Sequence, residues 1–236
     1  LQRSRHDIEK FFRQMSMTWI KICGTTNLKD ARLSIDAGAD ALGFIFAESP
    51  RRIGPPAARK IVAKLPKNIE KVGVFVNETT GRIRQVVEEV GLTAVQLHGD
   101  EQVNFLRALR EEFLQVRVYK TLLANSRLKD ALIEFRGPNP PDGILVDTAV
   151  NGKRGGTGLK SDWRVLASAM SGQKSRWIIA GGLTPQNVAD AIEMFHPWGV
   201  DVVSGVESSP GKKDPEKLNA FVRAVRAADK NHEKSS

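Results

Sequence analysis

The chain of 236 residues has one cysteine, Cys23, and no apolar run near the roughly 18–20 residues that a membrane-spanning helix needs. One thiol excludes an internal disulfide framework and a cysteine-built zinc site. It fits a reducing compartment, so the cytoplasm is the expected location. Runs of lysine and arginine interleaved with aromatics are missing, as are zinc-finger and RNA-binding signatures. The formal net charge of +9 therefore reads as solvated helix faces plus a few charges for a small anionic ligand. Neither nucleic acid nor a membrane is expected as a partner. The polar, basic residues 1–16 lack the apolar core of a secretory signal. Hydrophobic residues make up 41% of the chain, enough to build a full core.

From Trp19 onward, short apolar runs alternate with amphipathic segments. The runs are WIKICG, ALGFIFA, KVGVFV, AVQLHG, VRVYKTLL, GILVDT, WIIAG and GVDVVSG. Between them lie helical patterns such as NLKDARLSIDAG, with an Asn cap and a closing Gly, and PPAARKIVAKLP, opened by proline. A helix is expected at SDWRVLASAM, after the sixth strand. Continuous apolar strands point to a parallel sheet buried on both faces. Eight strand–helix units point to the α/β class and a single-domain (β/α)8 TIM barrel. A doubly wound open sheet is the rival, but it usually stops at fewer strands, and no G-x-G-x-x-G follows the first one. The barrel is expected over 18–230, after an N-terminal extension at 1–17 and before a polar tail at 231–236. Met17 is a candidate natural start.

In such a barrel the chemistry sits at the C-terminal ends of the strands. Those ends offer Cys23, the Ser49-Pro50-Arg51-Arg52 segment, Gln96 and His98, Asp147, Gly181-Gly182 and Ser204-Gly205. Gly156, in the glycine-rich run 151–158 after the sixth strand, is a further candidate substrate contact. Side chains two apart share a strand face, so Lys21 goes with Cys23 and Gln96 with His98; the period alone does not say which face is interior. Gly181, Gly182, Ser204 and Gly205 read as a phosphate site, because glycines let backbone N–H groups approach an anion. VESS (206–209) is a candidate for the extra helical turn that often completes such a site.

Cys23 is either a small apolar filler or a reactive thiol, and Lys21 either a helper of a thiolate or a core lysine paired with Asp201. Asp147, after an apolar run, must be paired, hydrated or catalytic. His98 is open between a structural and a ligand-binding role. Arg51 is either a surface charge or a holder of an anionic group.

Together KICG, GFIF with SPR, VGVFVN, VQLHG, LVDT, GGTG with SDW, AGGLTPQNV and DVVSGVESSPGKKD resemble the phosphoribosylanthranilate isomerase family over nearly all of Ile20 to Val225. The resemblance implies a cofactor-free, metal-free barrel enzyme of tryptophan biosynthesis. Its reaction is the Amadori rearrangement of N-(5-phosphoribosyl)anthranilate to 1-(2-carboxyphenylamino)-1-deoxyribulose 5-phosphate. It also implies Cys23 as general base, Asp147 as general acid and Arg51 near the anthranilate part. The phosphate contacts fall on Gly181, Gly182, Ser204 and Gly205. The expected partner is a phosphorylated small molecule, and the assembly a monomer or homodimer. A base at Cys23 must ionise, so its pKa is expected at or below the ordinary thiol value of about 8.5. The alternatives are a related indole-glycerol phosphate synthase, an isomerase with a second aminoaldose substrate, and a non-catalytic barrel that binds a phosphometabolite.

Overall fold

The computed structural model describes residues 17–125, 127–137, 139–148, 163, 166 and 176–235. Eight parallel strands close into a barrel in chain order: β1 (Trp19–Ile22), β2 (Ala41–Ile45), β3 (Glu70–Phe75), β4 (Ala94–Leu97), β5 (Arg117–Leu123), β6 (Gly143–Asp147), β7 (Trp177–Ala180) and β8 (Gly199–Val202). β8 returns to β1 with Lys21 opposite Asp201 and Ile22 opposite Val202, which rules out the open sheet. The described helices are α1 (Leu28–Ala37), α2 (Pro55–Val62), α3 (Thr80–Val90), α4 (Val103–Glu112), α5 (Leu128–Glu134), α6 (Val188–Phe195) and α7 (Pro215–Ser235). Of the helix expected after β6, only Trp163 and Leu166 are described; both are helical and buried.

Local chemistry accounts for the element ends. The Asn27 side chain accepts the Asp30 N–H at 2.9 Å and starts α1, and Gly38, at φ 110°, closes it through its N–H to Ile35. Prolines at 55 and 56 open α2. No glycine or proline interrupts α7 after Pro215, and the helix runs to Ser235, through most of the stretch read as a tail.

Apolar side chains fill two compartments. The larger lies between the strands and the helices and includes Ile20, Ile22, Leu42, Phe44, Val95 and Phe221. The smaller, with Ala41, Val72, Ala94, Tyr119, Leu145 and Ile178, fills the lower barrel interior. Trp19 stacks on Trp198 at 4.9 Å against it, and Tyr119 donates to Glu70 at 3.0 Å. The floor is therefore sealed by aromatic rings, and the interior turns polar only toward the opposite end.

One segment departs from the sequence reading. Ser204–Val206 forms a 3-10 turn, and the chain then makes a hairpin of β9 (Glu207–Ser209) and β10 (Lys212–Lys213). The helical turn thus falls two residues before VESS. Gly211, at φ 78°, reverses the chain after Pro210 and draws the flanking residues into strands.

Candidate active site

The polar end of the barrel holds a cavity of about 320 Å³ at the C-terminal ends of the strands. Cys23 reaches it from β1, Gln96 and His98 from β4, Asp147 from β6, and Gly181, Gly182 and Ser204 from the loops after β7 and β8. Seven residues expected at the site thus meet on one cavity, with Asp201 and Ser49 beside them. Arg51 and Gly205 are not among the residues that line it. Gly156 lies outside the described residues. A somewhat larger hollow of about 390 Å³, between the β4–α4 loop, β5 and α5, contains none of the expected residues.

Cys23 follows β1, its N–H bonded to the Val202 carbonyl at 2.9 Å. Its sulfur lies over β2: a Cβ at Gly43 would stand 2.5 Å from Cys23 Sγ, so a glycine there makes room for the thiol. Below it Lys21, fully buried, donates to Asp201 at 2.9 Å. Burial alone would push the Lys21 ammonium down; Asp201 and Cys23 outweigh it and hold the charge. The face left open by strand periodicity is therefore the interior, and the Lys21–Asp201 pair expected in the core exists.

The pKa of Cys23 is not lowered as expected. Burial pushes its pKa above the ordinary thiol value, and Asp201 adds to this; Lys21 and Lys213 oppose it without overcoming it. A sulfur wedged between β1 and β2 loses more hydration than one lysine returns, because Asp201 already neutralises much of that lysine.

His98 is kept neutral mainly by burial, against the pull of Asp147. Its Nε2 stands 3.7 Å from Asp147 Oδ2. Its Nδ1 lies 3.0 Å from Gln96 Nε2 and 3.2 Å from Thr121 Oγ1. With Gln96 donating, Nδ1 accepts and the ring proton sits on Nε2, facing the carboxylate. Gln96 Oε1, buried in the cavity wall, has no hydrogen-bond partner among the described residues.

The loops after β7 and β8 are held together by a close backbone approach. Gly181 and Gly182 have φ of 87° and 69°, a region that favours glycine. Their carbonyls accept from Thr148 Oγ1 at 2.7 Å and Asn187 Nδ2 at 3.1 Å. A Cβ at Gly205 would stand 1.9 Å from the Leu183 carbonyl oxygen. Arg51 is largely occupied inside the protein, its Nε and Nη2 clasping Glu207 at 2.6–2.9 Å. Glu207 and Lys213 were missed as supports of the site. Nothing in the PGKKD run distinguishes the buried Lys213 from the exposed Lys212 beside it.

The N-(5'-phosphoribosyl)anthranilate (PRA) isomerase profile matches residues 20–224. A relative named N-(5'-phosphoribosyl)anthranilate isomerase, from Moorella thermoacetica, is 43% identical over 218 residues, covering 92% of this chain and 93% of the relative. The solved phosphoribosyl anthranilate isomerase of Thermotoga maritima is 39% identical with a TM-score of 0.80, over 89% of this chain and all of that one. A second solved isomerase, in complex with reduced 1-(o-carboxyphenylamino)-1-deoxyribulose 5-phosphate, is 37% identical with a TM-score of 0.77 at the same coverage. The match spans all eight strands and every described wall of the cavity, and the chain belongs to the phosphoribosylanthranilate isomerase family of enzymes.

Proposed function

We propose that the chain converts N-(5-phosphoribosyl)anthranilate to 1-(2-carboxyphenylamino)-1-deoxyribulose 5-phosphate in the cytoplasm, with Cys23 as general base and Asp147 as general acid. The observation that carries this reading is that a thiol from β1 and a carboxyl from β6 line one cavity that also borders the glycine loops after β7 and β8.

Asp147 protonates the furanose ring oxygen as its bond to C1 breaks, and the nitrogen lone pair closes a protonated imine. Cys23, as thiolate, takes the C2 proton, and that electron pair forms C1=C2 while the C1=N electrons return to nitrogen. The resulting enolamine gains a proton at C1 and loses the one on its C2 hydroxyl, leaving the ketone. One acid and one base on different strands can flank the open-chain sugar, and each needs only one proton transfer.

The remaining contacts follow from chemistry. Gly181, Gly182, Ser204 and Gly205 form the phosphate site: with the carbonyls of both loop glycines engaged by Thr148 and Asn187, amide N–H groups are the natural donors to an anion. Gln96 and His98 contact the substrate from β4, His98 through an Nε2–H beside Asp147. Arg51 meets the anthranilate carboxylate. Gly156, in the glycine-rich run that follows β6 in the sequence, joins the substrate contacts. Turnover of phosphoribosylanthranilate by the purified chain is the direct test; a chain that binds it without converting it would be a binding protein.

The raised thiol sets the sign of the pH dependence. A group whose pKa is raised ionises late, so the thiolate fraction climbs about tenfold per pH unit until that raised pKa is passed. Alkylation of Cys23, the chain's only cysteine, should still be accelerating above about pH 8.5, where an ordinary thiol begins to level off. A plateau below that value would contradict the burial account.

Residues 1–16 are proposed to be dispensable for chemistry, with 18–230 as the catalytic barrel. Deleting 1–16 should leave kcat/KM within a few-fold, on the order of 1 kcal/mol or less. Loss of turnover in a folded deletion would show that the segment contributes to the site.

A further inference from the structure

The β9–β10 hairpin is tied to the barrel mouth by buried charge. Lys213, 1% exposed at its side chain, donates to the Cys23 carbonyl at 2.6 Å, the Val203 carbonyl at 3.2 Å and Glu207 Oε1 at 3.2 Å. Those three contacts take all three of its protons, two of them on the backbone where β1 and β8 end. Glu207, 3% exposed, clasps Arg51 through Nε and Nη2, and its Oε1 accepts the Gly211 N–H at 3.2 Å. The Arg51 stem crosses Gly24, the residue after Cys23, where a Cβ would stand 2.8 Å from Arg51 Cδ. The hairpin is anchored in turn on α1 and the loop before it: Lys213 N–H donates to Asp30 at 2.8 Å and Thr26 Oγ1 to the Gly211 carbonyl at 2.7 Å.

A lysine used only for stability needs one carboxylate. This one also binds the peptide that carries the thiol, and both oxygens of its carboxylate partner accept from the arginine at the same rim. We propose that Lys213 and Glu207 are positioning residues for the isomerisation, Lys213 holding the Cys23 peptide and supplying a cation beside the thiol, Glu207 holding the Arg51 guanidinium in one orientation. The proposal rests on the reading of Cys23 as base and Arg51 as anion contact. Burial holds the Lys213 pKa below the ordinary lysine value, and Glu207 and Cys23 oppose that shift.

Iodoacetamide labelling of the full chain reports on this thiol alone, because there is no other cysteine. The charged groups that face it are Lys21 on β1, Asp201 on β8, Lys213 on β10 and Arg51 after β2. Lys213→Met removes one cation. At a fixed pH below the thiol titration, labelling should slow by roughly threefold to tenfold, up to about one unit of thiol pKa. kcat should fall more than KM rises. Glu207→Gln leaves the Lys213 charge less compensated, so labelling should quicken, and KM should rise more than kcat falls as Arg51 loosens.

A merely structural triad predicts something else: either change loosens the same cluster, so labelling would quicken in both. Labelling that moves the same way in both variants, or in neither, overturns the proposal. Should Lys213→Met not fold, the double variant Lys213→Met/Glu207→Gln removes both buried charges together. It must label more slowly than Glu207→Gln alone, and equal rates would overturn the proposal as well. Failure of the underlying reading looks different: Cys23→Ser would keep its turnover while the opposite labelling shifts persisted.

Discussion

Cys23→Ser is expected to lower kcat by about 10²- to 10⁴-fold, the range in which one general acid or base contributes. The hydroxyl fits the space over Gly43 but has a far higher pKa than a thiol, so almost no base is present at neutral pH. Burial has already pushed the native thiol up, and the same burial would weigh on the alcohol. Asp147→Asn should lose activity on a similar scale, because an amide cannot deliver the proton that opens the ring. The double variant should lose less than the product of the two single losses, since the two groups serve one sequence of proton transfers and removing the second costs little once the first is gone. Steady-state kcat for the three variants, with circular dichroism to establish folding, checks this. Near-native turnover in Cys23→Ser would make the thiol a filler. His98, neutral and 3.7 Å from Asp147, would then be the next base to test, in the tautomer that leaves Nε2 unprotonated.

Gly205→Ala should be the more damaging of two glycine changes in the phosphate loops. The added methyl would lie 1.9 Å from the Leu183 carbonyl oxygen, and both partners are backbone, so no side chain can turn aside. The loops after β7 and β8 would have to separate, pulling apart the two halves of the anion site. KM should rise by about tenfold or more, with kcat less affected because the phosphate is remote from the reacting bonds. Gly182→Ala is the contrast. Nothing lies within 4 Å of its Cβ, and the cost is confined to a left-handed φ of 69°, roughly 1 kcal/mol. Substrate titrations with inorganic phosphate as competitor measure both. Equal, small effects would mean that the loop contact does not shape the phosphate site.

Much of this was legible in the chain itself. Eight apolar runs separated by amphipathic segments, with a cap at Asn27 and a stop at Gly38, are local signals, readable because strand and helix periods differ. The ends of those runs named the residues that line the cavity, since a parallel barrel puts all its strand ends on one side. The hairpin after β8 was less readable. Its turn residues are visible in SPGKK, yet a three-residue strand carries too little pattern to separate it from a helical turn.

What the sequence by itself determined is the order of the strands, their periodicity and the chemical types at their ends. Tertiary structure alone decided which face points inward, how far each group is desolvated and which charges meet. Lys21 and Asp201 are 180 positions apart in the chain and 2.9 Å apart in space. Lys213 reaches the Cys23 carbonyl across 190 positions. The ionisation of Cys23 depends on the sum of these contacts against the loss of water around the sulfur. That balance is set by the closed barrel and not by neighbours in sequence, which is why the thiol pKa lies above the ordinary value where the strand-end reading placed it at or below.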